Sequence, residues 1–329
     1  MNSFGTLYRT TIFGESHGVR VGVVVDGCPP GIPFDEEALL PDLDRRRSGA
    51  RGTTPRKESD VPHIVSGVFN GYTTGAPVTV LFDNENTLSG DYKNLVRHPR
   101  PGHADWVAMQ KYKGFADYRG GGHFSGRITL GAVVSGVLAK RILAGFGVAV
   151  NARILEIGGE TDAARYPELI EGAMRGHDSI GGIIECTASG VPAGWGEPFF
   201  DSVESVIGHA VFSIPAIRAI EFGEGFEAAR KTGSHHNDPI LNKEGKTLTN
   251  HAGGINGGIT NGNDIVFRIA VKPTSSISKP QQTYDYETDR VDELRIRGRH
   301  DACIALRVPV VAEAMTAISL ADLMFMSRK

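Results

Sequence analysis

The chain reads as an α+β protein, antiparallel strands combined with long helices, on three observations. Residues 63–84, HIVSGVFNGYTTGAPVTVLFDN, hold two apolar runs around Asn70-Gly71, a dipeptide that favours a tight hairpin turn. Residues 126–145 place Leu130, Val133, Val134, Val137, Leu138 and Ile142 at helical spacing. Hairpin-joined strands with long helices between them recur in both halves, which argues against a doubly wound parallel sheet.

Each element follows from local signals. Residues 18–26 are an apolar run of strand length. Asp35 caps a helix running to about Arg47 and ended by Gly49. Pro41 would cost ~3 kcal/mol in its interior, so the spacing predicts a kink or a later start. A short helix over 103–113 precedes the long one, which Ser125 caps and Gly145 and Gly147 stop. Strands follow at 148–158 and 181–190. A helix over about 202–213, strands near 217–222 and 264–273, and a last helix over about 308–326 entered through Pro309 complete the pattern.

Composition narrows the function classes. A net charge of −3, with 40% apolar and 22% charged residues, excludes binding to nucleic acid or an anionic membrane through bulk charge. Any basic site must be local. Cys28, Cys186 and Cys303 are scattered and form no C-x-x-C pair, so they read as reduced thiols of a cytoplasmic protein. The start, MNSFGTLYRTT, shows no secretory pattern, and no uninterrupted apolar run approaches the ~20 residues of a membrane helix. Glycine, 42 of 329 residues, is about 13% against a usual 7%. It clusters in GGGH (120–123), GEGF (223–226) and GGINGGITNG (253–262), as where backbone passes close to a ligand. The last stretch lacks a G-x-G-x-x-G opening a helix, so it is no dinucleotide fingerprint.

Six short clusters carry chemistry-bearing side chains. GESHG (14–18) sets His17, whose ordinary pKa near 6.5 suits proton transfer, beside Ser16 and Glu15. Glu15 is either a strand-end charge or an orienter of the imidazole. DLDRRRSGARGTTPR (42–56) gathers Arg45, Arg46, Arg47, Arg51 and Arg56. Its Gly/Thr-rich continuation suits a loop around an anion better than a solvated helix end. RHPRPGHADW (97–106) presents Arg100 and His103 from a proline-stiffened turn, and the His98/His103 spacing matches no metal-ligand pattern. In YRGGGHFSGRIT (118–129) a glycine run enters a helix whose first turn carries Ser125 and Arg127, a natural seat for phosphate. KPTSSI (272–277) and RGRHDAC (297–303) add donors and the trio Arg299, His300, Asp301. Together they describe a positive pocket for a small, multiply anionic ligand, with histidines placed for proton transfer.

Taken in order, these stretches resemble the chorismate synthase family. The matches are GESHG, DLDRRRSG with TTPR, RPGHADW, YRGGG, FGEGF, HAGGINGGITNG, KPTSSI and GRHDAC, and they cover nearly the whole chain. The resemblance implies one domain over 1–329 and a β-α-β sandwich, helices held between antiparallel sheets, assembled as a homotetramer. It implies a lyase that eliminates phosphate from 5-enolpyruvylshikimate 3-phosphate to give chorismate, with no nucleic-acid or membrane partner. The cofactor would be reduced FMN (FMNH2), with NADPH as the candidate external reductant.

By the same resemblance the catalytic residues would be His17, His103, Asp301, Ser16 and Ser125. His17 would protonate the leaving phosphate, His103 would serve the flavin N1 locus, and Asp301 would act at flavin N5. Substrate would meet Arg46, Arg51, Arg100, Arg127 and Arg299. FMN would touch His123, Phe124, Ser125, Ala216, Gly257, Lys272, Pro273, Thr274, Ser275, Ser276 and Arg299. The family's usual Arg-Ser-Ser-Ala-Arg after the glycine run is His123-Phe124-Ser125-Gly126-Arg127 in this chain, which changes one cationic and one hydroxyl contact.

Overall fold

A computed structural model describes residues 1–327 except 57, 88, 297 and 299, with only the backbone described at 89 and 91–93. Its first sheet grows from the apolar run seen in the sequence. The strands are β1 (Ser3–Phe4), β2 (Arg9–Gly14), β3 (Arg20–Asp26), β4 (His63–Ser66) and β7 (Val78–Asp83), in the antiparallel order β1-β2-β3-β7-β4. Val21, Val23 and Val25 of β3 stand opposite Phe82, Val80 and Val78 of β7, and all six are buried. Alternation with a period of two puts them on one face, and that face becomes core. Between these strands the Asn70-Gly71 turn joins β5 (Val68–Phe69) to β6 (Tyr72–Thr73). Its φ values of 50° and 76° are the left-handed pair such a turn requires.

The second sheet has the order β10-β13-β9-β8. Its strands are β8 (Ala149–Ile157), β9 (Gly182–Ser189), β10 (Ile217–Phe222) and β13 (Ile265–Val271), again antiparallel. Two small hairpins, β11/β12 (Ile255–Asn256, Ile259–Thr260) and β14/β15 (Gln281–Asp285, Arg290–Leu294), lie outside it. The glycine-rich 253–262 stretch is thus a hairpin, not a nucleotide loop.

The helices are α1 (Leu40–Arg46), α2 (Asp105–Lys111), α3 (Thr129–Ala144), α4 (Tyr166–Arg175), α5 (Val203–Val211), the single turn α6 (Gly233–His236) and α7 (Val308–Met326). Pro41 falls in the first turn of α1, so the later start resolves its cost. Asp35 instead accepts the Ala38 N–H at 2.8 Å, opening a short 3-10 turn. Ser125 accepts the Arg127 N–H at 3.3 Å across a 3-10 turn that leads into α3.

Between the two sheets lie α3 and α7. The first packs on β2 and β3, the second on β8 and β9, and the helices pack on each other. Gly136 permits that approach, since a Cβ there would fall 2.3 Å from the Ala314 Cβ. This is α+β architecture with helices between antiparallel sheets, as expected. Residues 304–326 are long and apolar enough to cross a membrane, which the sequence reading passed over because Arg307, Glu313 and Asp322 interrupt the run. Of the apolar window 78% is buried inside the fold, as in a core helix.

Its two carboxylates tie the layers together. Glu313 accepts from Arg45 of α1 (2.7 and 2.8 Å), Lys140 of α3 (2.7 Å) and the Ala152 N–H of β8 (2.9 Å). Asp322 accepts the backbone N–H groups of Thr6, Leu7 and Tyr8 at 2.6–2.9 Å. Buried charge on an apolar helix is tolerable only with such complete pairing. Cys28, Cys186 and Cys303 are buried free thiols.

Candidate active site

A cleft of about 690 Å³ opens where the start of α3, the loop before α2, the 272–276 turn and the start of α7 converge. That volume is typical of a site for a small ligand. Six cationic side chains line it among the described residues, Arg46, Arg56, Arg100, Arg127, Lys272 and Arg307, against the carboxylates of Glu58, Asp60 and Asp301. A chain of net negative charge therefore concentrates positive potential in one place. Ile12, Ile304, Val308, Val311 and Met315 supply an apolar wall.

One wall centres on Asp60, buried and held at φ 48°. Arg46 reaches its Oδ2 at 3.1 Å and Arg127 its Oδ1 at 2.7 Å. Burial works to raise the Asp60 pKa, but the two guanidiniums outweigh it and hold the group below the usual carboxylate range. One carboxylate between two guanidiniums leaves net positive charge for a ligand. Burial, then the Arg307 charge, lowers the Arg46 pKa to about 10, so it stays cationic near neutrality. The Arg46 Nε is buried without a hydrogen-bond partner, and so is the Thr274 Oγ1; both residues line the cleft. Buried polar atoms left unpaired mark the place of a missing partner.

The second wall is a carboxylate–imidazole–guanidinium arrangement. His103 Nδ1 lies 2.7 Å from Asp105 Oδ1 and 3.0 Å from an Arg100 nitrogen. Only the carboxylate can accept, so Nδ1 carries the proton and donates to Asp105, leaving Nε2 as the basic edge. Arg100 grips both Asp105 oxygens at 2.7 Å and donates to Ser276 at 2.8 Å. Its cation is committed to this scaffold. Burial lowers the His103 pKa, with Arg100 adding and Asp105 opposing.

Between the walls runs the glycine turn. Gly120, Gly121 and Gly122 all have positive φ, at 59°, 82° and 54°. A Cβ on Gly120 would lie 2.5 Å from the His17 imidazole and 2.8 Å from Ser16 Oγ; one on Gly121 would lie 3.8 Å from His103. The two histidines thus flank a single turn. Ser16 and His17 are buried behind it, off the cleft surface, while Gly120 and Gly121 line the cleft. The Ser16 N–H donates to the Gly122 carbonyl at 3.1 Å, and Arg56 donates to Ser16 Oγ (2.8 Å) and O (3.0 Å) while paired with Glu58 at 2.6 Å. Burial, then the charges of Arg56 and Arg119, push the His17 pKa down to about 4.

The remaining wall carries Lys272, whose Nζ donates to Ser275 Oγ at 2.5 Å, and Asp301, which accepts the Thr54 N–H (3.0 Å) and an Arg307 contact (3.2 Å). His123, Phe124, Ser125, Ala216, Thr274, Ser275 and Ser276 also line the cleft. His123 is held by the Gly14 carbonyl at 2.8 Å and the Asn2 side chain at 3.0 Å.

Other expected residues stand elsewhere. Arg51 is exposed and paired with Glu171 at 2.6 Å on the surface. Gly257 lines a separate shallow hollow with Pro198 and Phe199, and Pro273 is exposed beside the cleft. Arg299 lies outside the described residues. Arg56, one of the arginines of the anion-binding loop read in the sequence, does line the cleft, whereas Glu58, Asp60, Asp105 and Arg307 were missed as site residues. Only Asp105, two positions after His103, carried a local signal.

Residues 8–325 match the family model described as chorismate synthase. A chorismate synthase of Chitinophaga pinensis is 60% identical over 329 residues, covering 100% of this chain and 98% of the relative. That of Korarchaeum cryptofilum is 47% identical, covering 97% and 96%. Among solved structures, one titled as the crystal structure of chorismate synthase superposes with a TM-score of 0.75 at 27% identity, covering 98% of this chain and 93% of the other.

Proposed function

The chain belongs to the chorismate synthase family, carbon–oxygen lyases of the shikimate pathway, and from that premise we propose that this cleft eliminates phosphate from 5-enolpyruvylshikimate 3-phosphate. The observation that carries the reading is the pair of imidazoles on either side of the Gly120-Gly121 turn, at a cleft whose six cationic side chains outnumber its three carboxylates among the described residues.

The residues fit reduced FMN as a resident group. The unpaired Thr274 Oγ1, the Ser276 hydroxyl and Lys272 offer donors, Ser125, Ala216 and Ser275 lie on the same cleft, and α7 offers an apolar face. His123 takes the place of the family's cation there. When bound, reduced FMN supplies an electron-rich ring that assists C–O cleavage and receives the departing hydrogen. The chain's own residues do the rest. Arg46 and Arg127, sharing Asp60, and Arg56 draw in the phosphate and carboxylates and neutralise them. His17 is neutral at pH 7 because burial, then Arg56 and Arg119, outweigh the opposing charges of Asp117 and Glu58. A phosphate dianion set against Gly120 adds negative charge, raises the imidazole pKa and makes His17 the proton source for the leaving group once the Gly120 turn that covers it shifts. His103, oriented through Asp105, keeps Nε2 as acceptor, and Asp301 is held between the Thr54 N–H and Arg307. The apolar wall limits water around the reacting carbons.

The homotetramer belongs to the same proposal. Gly257 stands apart from its own chain's cleft, beside exposed Phe199, so its expected flavin contact needs a neighbouring copy.

The test is an anaerobic assay with chemically reduced FMN and the phosphorylated substrate. Stoichiometric chorismate and phosphate are expected, with none when FMN is oxidised. Absence of both products under reducing conditions overturns the reading.

A further inference from the structure

Far from the cleft, three potential ligand groups converge on one point. Glu224, His236 and His251 each offer one donor atom, all within 4.8 Å of one another. We propose that Glu224, His236 and His251 form a site for a divalent transition-metal ion, zinc by preference, that clips the 224–251 excursion to the end of β10. The imidazoles and one carboxylate are the donor set that zinc favours in open sites.

Geometry supports this beyond composition. His236 Nδ1 lies 3.1 Å from Glu224 Oε2, and His251 Nε2 lies 3.5 Å from Glu224 Oε1. Donors bound to zinc at ~2.0–2.1 Å in a tetrahedron are about 3.3 Å apart. The two spacings, one to each Glu224 oxygen, bracket that edge. The fourth position is left for water.

A second feature, separate from the spacing, concerns orientation. His251 Nδ1 lies 3.0 Å from the His236 carbonyl, an acceptor only, so Nδ1 carries the proton and Nε2 presents its lone pair towards Glu224. Metal-bound histidines are held by such a bond on the distal nitrogen. Asp238 fixes the same loop by accepting the His251 and Ala252 N–H groups at 2.8 and 2.9 Å. The three side chains are only partly buried, so an ion can enter.

The excursion has reason to need a clip. Between Glu224 and His251 it holds one 3-10 stretch and the single turn α6, and it leaves Phe226, Ile240, Leu241 and Leu248 exposed. Core burial does little there, and closing a long loop is where a metal link stabilises most. Ala216 at the other end of β10 lines the cleft, so the cluster stands roughly 20 Å away along the strand. The ion is therefore structural, not catalytic. Lys231, whose ammonium bonds Glu224, occupies the carboxylate when no metal is bound and competes with it.

The experiment uses the full-length protein, freed of metal by a chelator and titrated with Zn²⁺ alone by calorimetry, with Co²⁺ absorption as a coordination readout. One ion per chain is expected. His236→Ala and Glu224→Gln should each weaken binding at least tenfold and abolish the cobalt bands. His235→Ala, whose imidazole bonds Thr232 at 2.8 Å, should leave affinity unchanged. Lys231→Ala should tighten it severalfold, an outcome no site elsewhere on the protein produces. Circular dichroism checks each variant's fold, and lyase turnover should be unaltered in His236→Ala. Absence of zinc binding at micromolar concentration, or undiminished binding in folded His236→Ala, overturns the proposal.

Discussion

At the residue scale, the environments of His17 and His103 decide what proton chemistry is available. The His17 pKa falls from 6.5 to about 4 in the folded protein, so the unfolded chain binds the extra proton first as pH drops. Stability from this group is complete above about pH 6.5 and is lost progressively towards pH 4, amounting to about 3 kcal/mol. Urea titrations from pH 7 to pH 4 should show His17→Asn losing correspondingly less stability than the wild type. The same variant should lower kcat ~10²–10⁴-fold with a small change in KM, since a general acid acts only in the transition state. Asp105 acts through another group. Asp105→Asn keeps a partner for Arg100 but removes the charge facing His103 Nδ1, and kcat should fall about 10²-fold or more. The pH–rate profile separates this from a structural effect, because the acidic limb should move to lower pH only if Asp105 sets the imidazole's protonation. Asp105→Glu should restore part of the rate.

Elements show how much of this was legible in the sequence. The β3 run, the Asn70-Gly71 turn and the α7 span read correctly because periodicity and turn chemistry are local. The β14/β15 hairpin carries little apolar signal, and α4 is short, so its inward face of Tyr166, Leu169, Ile170 and Ala173 did not stand out. Within the site, His17, His103 and Asp301 could be singled out by residue type and resemblance. Asp60 could not: its importance comes from two arginines distant in sequence that meet on one carboxylate. The glycine run, read in the sequence as a phosphate seat at a helix start, takes the form of a left-handed turn that separates two imidazoles, a placement the spacing alone does not reveal. Helix packing gives a test free of catalysis. Gly136→Ala would force a Cβ into Ala314 at 2.3 Å, so α3 and α7 must separate. Overpacking of this kind should cost about 1–3 kcal/mol in denaturant melts, with the residual activity per folded molecule little changed.

For the whole molecule, the question is what keeps two sheets and a helix layer in one register. A hydrophobic core running from Tyr8 to Met324 supplies the driving force without direction. Direction comes from charge. Glu313 is reached from α1, α3 and β8 at once, and although burial tends to raise its pKa, Arg45 and Lys140 hold it below the usual range. Glu313→Ala strands the Ala152 N–H and leaves Lys140 with Asp42 as its remaining partner, and stability should fall by about 3 kcal/mol, measured by reversible urea unfolding. The stability loss should shrink when Lys140→Met is added, because the half-paired ammonium is then gone.

Because α7 fills the middle of the molecule yet comes at the end of the described chain, its apolar face leaves the ribosome after both sheets have already been synthesised. During translation those sheets therefore wait as two half-structures with oily inner surfaces and no filling. Chaperone demand should accordingly last until α7 emerges, and losing even the final turns of that helix would leave a body with its centre missing.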